Sequence, residues 1–309
     1  MQQPNELFTY ESHVDPRPIH ATTLVVTLGA YGDPGHTQQL VDTLIVNHLD
    51  STRIGHFDTD KLVDYRSLRP TIVFAGDRFT EYHRPEMTLL TARDSAGTPF
   101  LLLRGPEPDF RWEETARAIE QIVEDHDVET TVVLHGVAMP TPHTRPVTVT
   151  RWASDPALLP GNQPMFGSLQ LRASFPQMLA LRLGEAGHHV IGLSAHIPQY
   201  VAMGDYPDGA LAVISALREV SSLEVPTGNL QRVSAVVRAE LDQQTEQDSD
   251  VSEMVTGMEE QYDRFVAGHR PLPTPPTDLP SADQIGEEAE AFLRGLDGPE
   301  EGTEPGTDE

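Results

Sequence analysis

Three glycines follow the first apolar strand pattern, at Gly29, Gly32 and Gly35 in the segment TLGAYGDPGHTQQL. Glycines permit a tight turn, and the free N–H groups at the start of the following helix can bind an anion. Asp33 and His36 lie in the same turn and add a carboxylate and an imidazole. The segment has neither GxGxxG nor the lysine and hydroxyl residue of a P-loop, which argues against dinucleotide and Walker-type sites.

This turn resembles the GDPxR turn of nucleoside phosphorylases, in which the arginine helps to hold phosphate. His36 stands at the position of that arginine. Arginine is charged at all physiological pH values, whereas a histidine titrates near neutrality. Two interpretations therefore stay open, a phosphate site and an ordinary turn between a strand and a helix.

A second acidic segment, GPEPDFRW, follows an apolar strand pattern and contains Glu107 and Asp109. Two nearby carboxylates can separate their pKa values and act as an acid and a base. The simpler interpretation is structural, because Pro106 and Pro108 fix an extended loop and Asp109 is close enough to the next helix to cap it.

The loop HGVAMPTPHTRP leaves a buried strand and carries His143 and Arg145, and His196 ends a later strand. Open α/β sheets bind ligands at the carboxyl ends of their strands, and His135, His143 and His196 could converge there. Their spacing matches no standard zinc motif, and no serine lies in a GxSxG elbow. We predict one candidate ligand pocket, with no metal, no cofactor and no assigned catalytic residue. Its residues are Gly32, Asp33, Gly35, His36, His143, Arg145 and His196.

Alternating strand and helix patterns position these segments. Strand patterns occur at 23–29, 71–76, 130–138, 144–152 and 188–198, and a hairpin pattern with its turn at 94–97 occurs at 87–105. Helical patterns occur at 37–49, 112–124, 175–187 and 206–223. Such alternation is typical of a mostly parallel sheet with helices on its faces. We therefore predict an α/β body over residues 1–228.

Longer amphipathic helices are predicted from Asn229 onward. Leu230, Val233, Val237 and Leu241 form one apolar stripe, and Met254, Met258, Tyr262 and Phe265 form another, with a charged turn at 242–250 between them. A two-helix appendage over 229–270 must bury these stripes on its own body or on a neighbouring subunit. The Pro-rich and acidic residues 271–309 predict a largely disordered tail.

The chain of 309 residues carries 48 acidic and 21 basic side chains, a formal net charge of −27. Residues 240–309 contribute −17, from 20 acids and three arginines, and residues 1–239 contribute −10. This balance disfavours nucleic acid and anionic membranes as partners. There is no cysteine and no apolar run long enough to span a membrane, so we expect a cytoplasmic protein.

Four segments in order resemble the actinobacterial branch of the proteasome assembly chaperone 2 family. They are GAYGDPG, LLLRGPEPDFRW, LHGVAMPTPHTRPV and SAHIPQYVAMGDYPDGA. The resemblance covers about residues 24–230. It implies a three-layer α/β/α body similar to nucleoside phosphorylases, an added helical region and self-association, often as a trimer. It carries over no catalytic residue.

Two hypotheses on function follow. The first is a protein-binding or assembly protein that associates with itself and with a proteasome-related protein. Relatives in the family dock a C-terminal hydrophobic-Tyr-any tripeptide, but this sequence ends Gly-Thr-Asp-Glu. The second is a phosphorylase-like enzyme or ligand-binding protein. A buried pocket joining the first turn to the loop at His143 would favour the second, and an exposed apolar patch would favour the first. We expect the helical appendage or the loop at Tyr200–Tyr206 to contribute to a subunit contact.

Overall fold

The computed structural model describes residues 6–29, 32–165 and 167–268. The strands are β1 (Phe8–Tyr10), β2 (Thr23–Gly29), β3 (Asp50–Phe57), β4 (Val73–Ala75), β5 (Arg78–Thr80), β6 (Met87–Arg93), β7 (Pro99–Pro106), β8 (Thr130–Met139), β9 (Val149–Ala153) and β10 (His189–Pro198). The helices are α1 (Thr37–His48), α2 (Tyr65–Leu68), α3 (Trp112–Asp125), α4 (Phe175–Glu185), α5 (Pro207–Ser221), α6 (Leu230–Gln247) and α7 (Ser249–Gly268).

Eight strands form one mixed sheet in the order β1-β3-β6-β7-β2-β8-β10-β9. The central pairs β7–β2, β2–β8 and β8–β10 are parallel, and the remaining pairs are antiparallel. It follows that β2, β3, β7, β8 and β10 run in one direction and the other three strands in the opposite one. The mostly parallel sheet predicted from the sequence is confirmed.

Alternate side chains of the central strands face two separate cores. In β2, Leu24 and Val26 belong to the core beneath α3 and α4, whereas Val25 belongs to the core beneath α1 and α5. Because successive side chains of a strand point to opposite faces, an uninterrupted apolar run indicates a strand covered on both sides. The predicted three-layer α/β/α architecture is confirmed.

The segment predicted as a strand at 71–76 lies outside this sheet. Residues Val73–Ala75 pair only with Arg78–Thr80, in a short hairpin whose side chains are largely exposed. The sequence reading missed β3, which pairs with β6 and β1. The charged and polar residues in Asp50–Phe57 hide its apolar alternation.

Helices α6 and α7 belong to the same compact unit as the sheet. The charged turn expected at 242–250 is wrong, because α6 continues to Gln247 and only Asp248 separates it from α7. Glutamine and glutamate are good helix formers, and most of these side chains face solvent. The division into a body and an appendage stays a prediction, and the predicted tail at 271–309 lies outside the described residues.

The apolar stripe of α6 packs on the chain's own body. Leu230 is buried in the core under α5, and Val237 and Leu241 pack against that core. Val233 is exposed, and the neighbouring Ser234 is buried instead. The Ser234 hydroxyl donates a hydrogen bond to Asp208, which satisfies this polar group inside the protein. Within the described residues, no helix is both long and apolar enough to cross a membrane.

Candidate functional site

The first glycine-rich turn binds its own helix. One carboxylate oxygen of Asp33 accepts a hydrogen bond of 3.0 Å from the Gln38 N–H, and the other accepts one of 3.1 Å from the Gln39 N–H. Burial raises the pKa of Asp33, and these hydrogen bonds act in the opposite direction. The sequence predicts free amides for an anion at the start of α1. Two of them, those of Gln38 and Gln39, bind the Asp33 carboxylate of the same turn instead.

The same turn is fastened to the loop before α5. The Gly35 N–H donates to the Ala202 carbonyl, and the Tyr206 N–H donates to the Gly35 carbonyl, both at 2.9 Å. Gly35 has φ +68°, and a Cβ there would lie 2.9 Å from the Tyr206 Cβ. His36 Nδ1 lies 2.6 Å from the Asp205 Oδ1. Glycine is required here by both the backbone conformation and the closeness of the two loops.

His143 joins the loop after β8 to the loop after β10 and to α6. The Tyr200 hydroxyl accepts a hydrogen bond of 2.7 Å from the His143 backbone N–H and lies 2.6 Å from its Nδ1. The opposite ring nitrogen, Nε2, lies 3.2 Å from the Asp242 Oδ1. The imidazole is buried and has a partner at each nitrogen, so it serves here as a structural link.

Arg145 holds α7 against the same loop. Its guanidinium donates to both carboxylate oxygens of Asp263 at 2.8 Å and to Glu259 at 3.1 Å. The Tyr262 hydroxyl donates to the Pro146 carbonyl at 3.0 Å. The hydrogen bonds to Asp263 raise the pKa of Arg145, and those from Arg145 lower the pKa of Asp263. A bidentate contact is the strong form of an arginine–carboxylate pair. Arg145, predicted as a ligand-binding residue, is therefore paired with Asp263 of the same chain.

The other two histidines have separate partners. His196 Nε2 lies 2.7 Å from the Thr150 Oγ1, and His135 Nε2 lies 3.0 Å from the Ser194 Oγ. Burial lowers the pKa of each histidine from 6.5 to about 4. Both imidazoles are therefore neutral at pH 7 and bind hydroxyl groups on neighbouring strands.

Glu107 and Asp109 make separate structural contacts. Glu107 accepts a hydrogen bond of 2.5 Å from the Phe175 N–H at the start of α4, and Asp109 accepts one of 2.6 Å from the Asp64 N–H. Asp109 does not cap α3 as expected, because Arg111 occupies the capping position with φ +57°. Glu107 and Asp109 thus connect the loop after β7 to two other segments of the chain.

The clefts of the described residues include two open ones, and neither of these contains a residue of the predicted pocket. One, of about 270 Å³, lies between β3 and the loop before β6, and the other, of about 490 Å³, lies beside α5 and the residues that follow it. Neither joins the first turn to the loop at His143. The predicted pocket residues are thus placed at one edge of the sheet, but each side chain described above is engaged within the chain.

Sequence reasoning missed an exposed apolar surface around the β4–β5 hairpin. Phe74 is 60% exposed and Phe79 67%, and their rings pack together with centroids 5.1 Å apart. Further exposed apolar residues within the same short stretch are Leu68, Ile72, Val73 and Tyr82. The signal in the sequence is a pair of short apolar runs around a polar turn. The first of these runs, at 71–76, also fits a strand of the main sheet, which is the prediction given above.

The fold and these contacts define a class of protein. It is a three-layer α/β/α protein in which the loops at the carboxyl edge of the parallel strands are bound to one another and to an added helical hairpin. The chain belongs to the PAC2 family, whose sequence model matches residues 28–245. The resemblance predicted from the four segments is confirmed.

Several solved structures are similar to this chain. A Mycobacterium tuberculosis protein of unknown function is 34% identical with a TM-score of 0.80, covering 87% of this chain and 93% of its own. A Corynebacterium glutamicum protein of unknown function is 31% identical with a TM-score of 0.81, covering 86% and 100%. A Mycobacterium tuberculosis proteasome-assembly chaperone homologue shares the fold at 22% identity with a TM-score of 0.69, covering 75% and 99%. No curated protein matches the sequence.

Proposed function

We propose that this chain is a protein-binding assembly protein, and that it binds through the surface formed by residues 65–84. The exposed apolar side chains of the β4–β5 hairpin carry this proposal. Exposed apolar residues elsewhere are fewer within any one stretch, such as Val233 and Val236 on α6, and a few such residues are ordinary for a protein surface. A contiguous apolar surface is typical of an interaction site.

The hairpin itself needs support from a partner. Its strands have three residues each and pair with one another in a sheet of two. An isolated two-stranded hairpin is only marginally stable in water. A partner that covers Phe74 and Phe79 would remove these rings from water and stabilise the hairpin.

The net charge of residues 65–84 indicates which kind of partner this surface would bind. Residues 65–84 carry four arginines and two acids, a net of +2, in a chain of net charge −27. Arg78 and Arg84 form ion pairs with acids of the same chain. In the described residues, the guanidinium groups of Arg66 and Arg69 form no ion pair and are available to a partner. The surface therefore fits an acidic partner, and a second copy of this chain provides one.

We place this self-association in a ring of three subunits. The hairpin of one subunit would contact a different, acidic surface of the next, which is a heterologous contact. Such contacts close into a ring when the rotation between subunits permits it. The resemblance to the PAC2 family supports three subunits, and the hairpin supplies a physical reason for association.

Light scattering coupled to size exclusion tests the proposal. The wild type should have three times the subunit mass of 34.0 kDa. Replacing Phe74 and Phe79 together with serine should give the monomer, whereas Leu181→Ser should not, although Leu181 is 57% exposed. A wild-type monomer, or an oligomer that survives the double substitution, would refute the role of the hairpin.

We further propose a proteasome-related protein as the partner of the assembled chain. Two proteins of the same fold are described as a proteasome-assembly chaperone homologue, from Mycobacterium tuberculosis, and an archaeal proteasome activator, from Pyrococcus furiosus. The test is native mass spectrometry of the full chain mixed with the proteasome α and β subunits of its own organism. A complex with α subunits, or faster assembly of their rings, is expected. Unchanged spectra and assembly rates would remove the proteasome from the proposal and leave the self-association test unaffected.

A further inference from the structure

Three side chains with metal-binding atoms meet on the outer face of α3. Glu120 and Glu124 are four residues apart on this helix, so their carboxylates lie on the same face in successive turns. His188 follows α4, directly after Gly187, which has φ +90°. One ligand atom of each residue lies within 4.8 Å of a ligand atom of the other two.

The side chains of the cluster have no ion-pair partner in the part of the chain that the structure describes. Within the described residues, neither Glu120 nor Glu124 forms an ion pair, and the His188 ring has no hydrogen-bond partner. Glu113, on the same helix, is different because the Arg182 guanidinium donates three hydrogen bonds to its carboxylate. Like charges four residues apart destabilise a helix, and a bound cation would relieve that repulsion.

We propose that Glu120, Glu124 and His188 bind a divalent transition-metal ion, and that zinc fits this ligand set. Zinc takes carboxylate oxygens and imidazole nitrogens at about 2.0–2.2 Å, so ligand atoms around a tetrahedral ion are about 3.4 Å apart. The three atoms need to approach one another by at most about 1.4 Å from their present separations. None of the three side chains is buried, so changes of their rotamers can close these separations without a change in the backbone.

The imidazole separates this cluster from an ordinary acidic surface. Calcium and magnesium prefer six or more oxygen ligands, including water, whereas imidazole favours zinc, nickel and copper. Three protein ligands leave the fourth zinc position open to water or to a side chain of another molecule. The bound ion would join the C-terminal half of α3 to the turn between α4 and β10.

The spacing of the histidines along the chain does not predict this site. The two glutamates have the spacing of many solvent-exposed helices, and His188 is distant from them in the chain. Only the packing of α3 beside α4 brings the three ligands together.

Zinc binding to the full-length protein tests the proposal, with calorimetry and metal analysis as readouts. The wild type should bind one zinc ion at this site with a micromolar dissociation constant. His188→Asn and Glu124→Gln should each weaken that binding by at least about tenfold. The matched control is His189→Asn, which removes an exposed neighbouring imidazole and should leave zinc affinity unchanged.

Two further measurements make the outcome decisive. Magnesium should bind far more weakly than zinc, because the imidazole contributes little to it. Circular dichroism of each variant checks that the fold is intact, and Glu124→Gln, an exposed and nearly isosteric change, retains the test if His188→Asn misfolds. The proposal is overturned if the wild type binds no zinc at this level, if all three variants bind it alike, or if magnesium binds as tightly.

Discussion

Replacing Gly35 with alanine should loosen the junction between the first turn and the loop before α5. The residue has φ +68°, and a left-handed conformation costs an L-residue about 1–2 kcal/mol. The new Cβ would also lie 2.9 Å from the Tyr206 Cβ and 3.1 Å from the Ile197 Cγ2. Both contacts are with buried side chains, and overpacking of this kind costs about 1–3 kcal/mol. The expected loss of unfolding free energy is therefore about 2–5 kcal/mol.

Gly32→Ala is the matched control for this substitution. Gly32 has φ +69°, almost the same conformation, but a Cβ there would have nothing within 4 Å. It should lose only the conformational cost of about 1–2 kcal/mol. The difference between the two variants isolates the contact of Gly35 with Tyr206 and Ile197.

Urea unfolding followed by circular dichroism measures both variants. Thermal unfolding gives a second measure, since 1 kcal/mol shifts the Tm of a protein of this size by about 2–4 °C. Hydrogen exchange should also show faster exchange of the Gly35 and Tyr206 amides in Gly35→Ala. If the two alanine variants lose the same free energy within about 0.5 kcal/mol, the close approach of the two loops contributes nothing, and our account of the turn is wrong.

Three more predictions concern the residues of the candidate pocket. Burial lowers the pKa of His135 and His196 from 6.5 to about 4, so the unfolded chain binds more protons than the folded chain between these pH values. The unfolding free energy should therefore fall from about pH 6.5 towards pH 4. The expected slope is up to about 1.4 kcal/mol per pH unit for each histidine. His196→Gln should flatten that profile, and an unchanged slope would contradict the assignment. Arg145→Ala should speed hydrogen exchange in α7, whereas Arg218→Ala, which removes an exposed ion pair with a neighbouring loop, should not; equal protection in both variants would show that the ion pairs do not hold α7. Millimolar phosphate should shift the Tm by less than about 1 °C, because Asp33 occupies the amides of α1; a ligand present at 1,000 times its Kd would add about 4 kcal/mol and would revive the phosphate site.

The sequence by itself determined the layers of this protein. Uninterrupted apolar runs such as Leu24–Val26 and Leu101–Leu103 predict strands buried on both faces, because only a strand covered on each side needs apolar residues at successive positions. Helical spacing predicted α1, α3, α4 and α5 close to their observed bounds. These features depend on neighbouring residues, so periodicity and turn residues are sufficient to predict them.

Only the tertiary structure decided what the polar side chains bind. The loop residues His143 and Arg145 have the chemistry of a ligand site, and nothing near them in the sequence indicates that Tyr200, Asp242 and Asp263 bind them instead. In the same way, a strand pattern at 71–76 became an exposed hairpin because its pairing partner was β5 and not the main sheet. The physical reason is common to these cases. Which distant groups meet depends on the order of the strands and on the helices that pack beside them, and this order is set by the free energy of the whole fold.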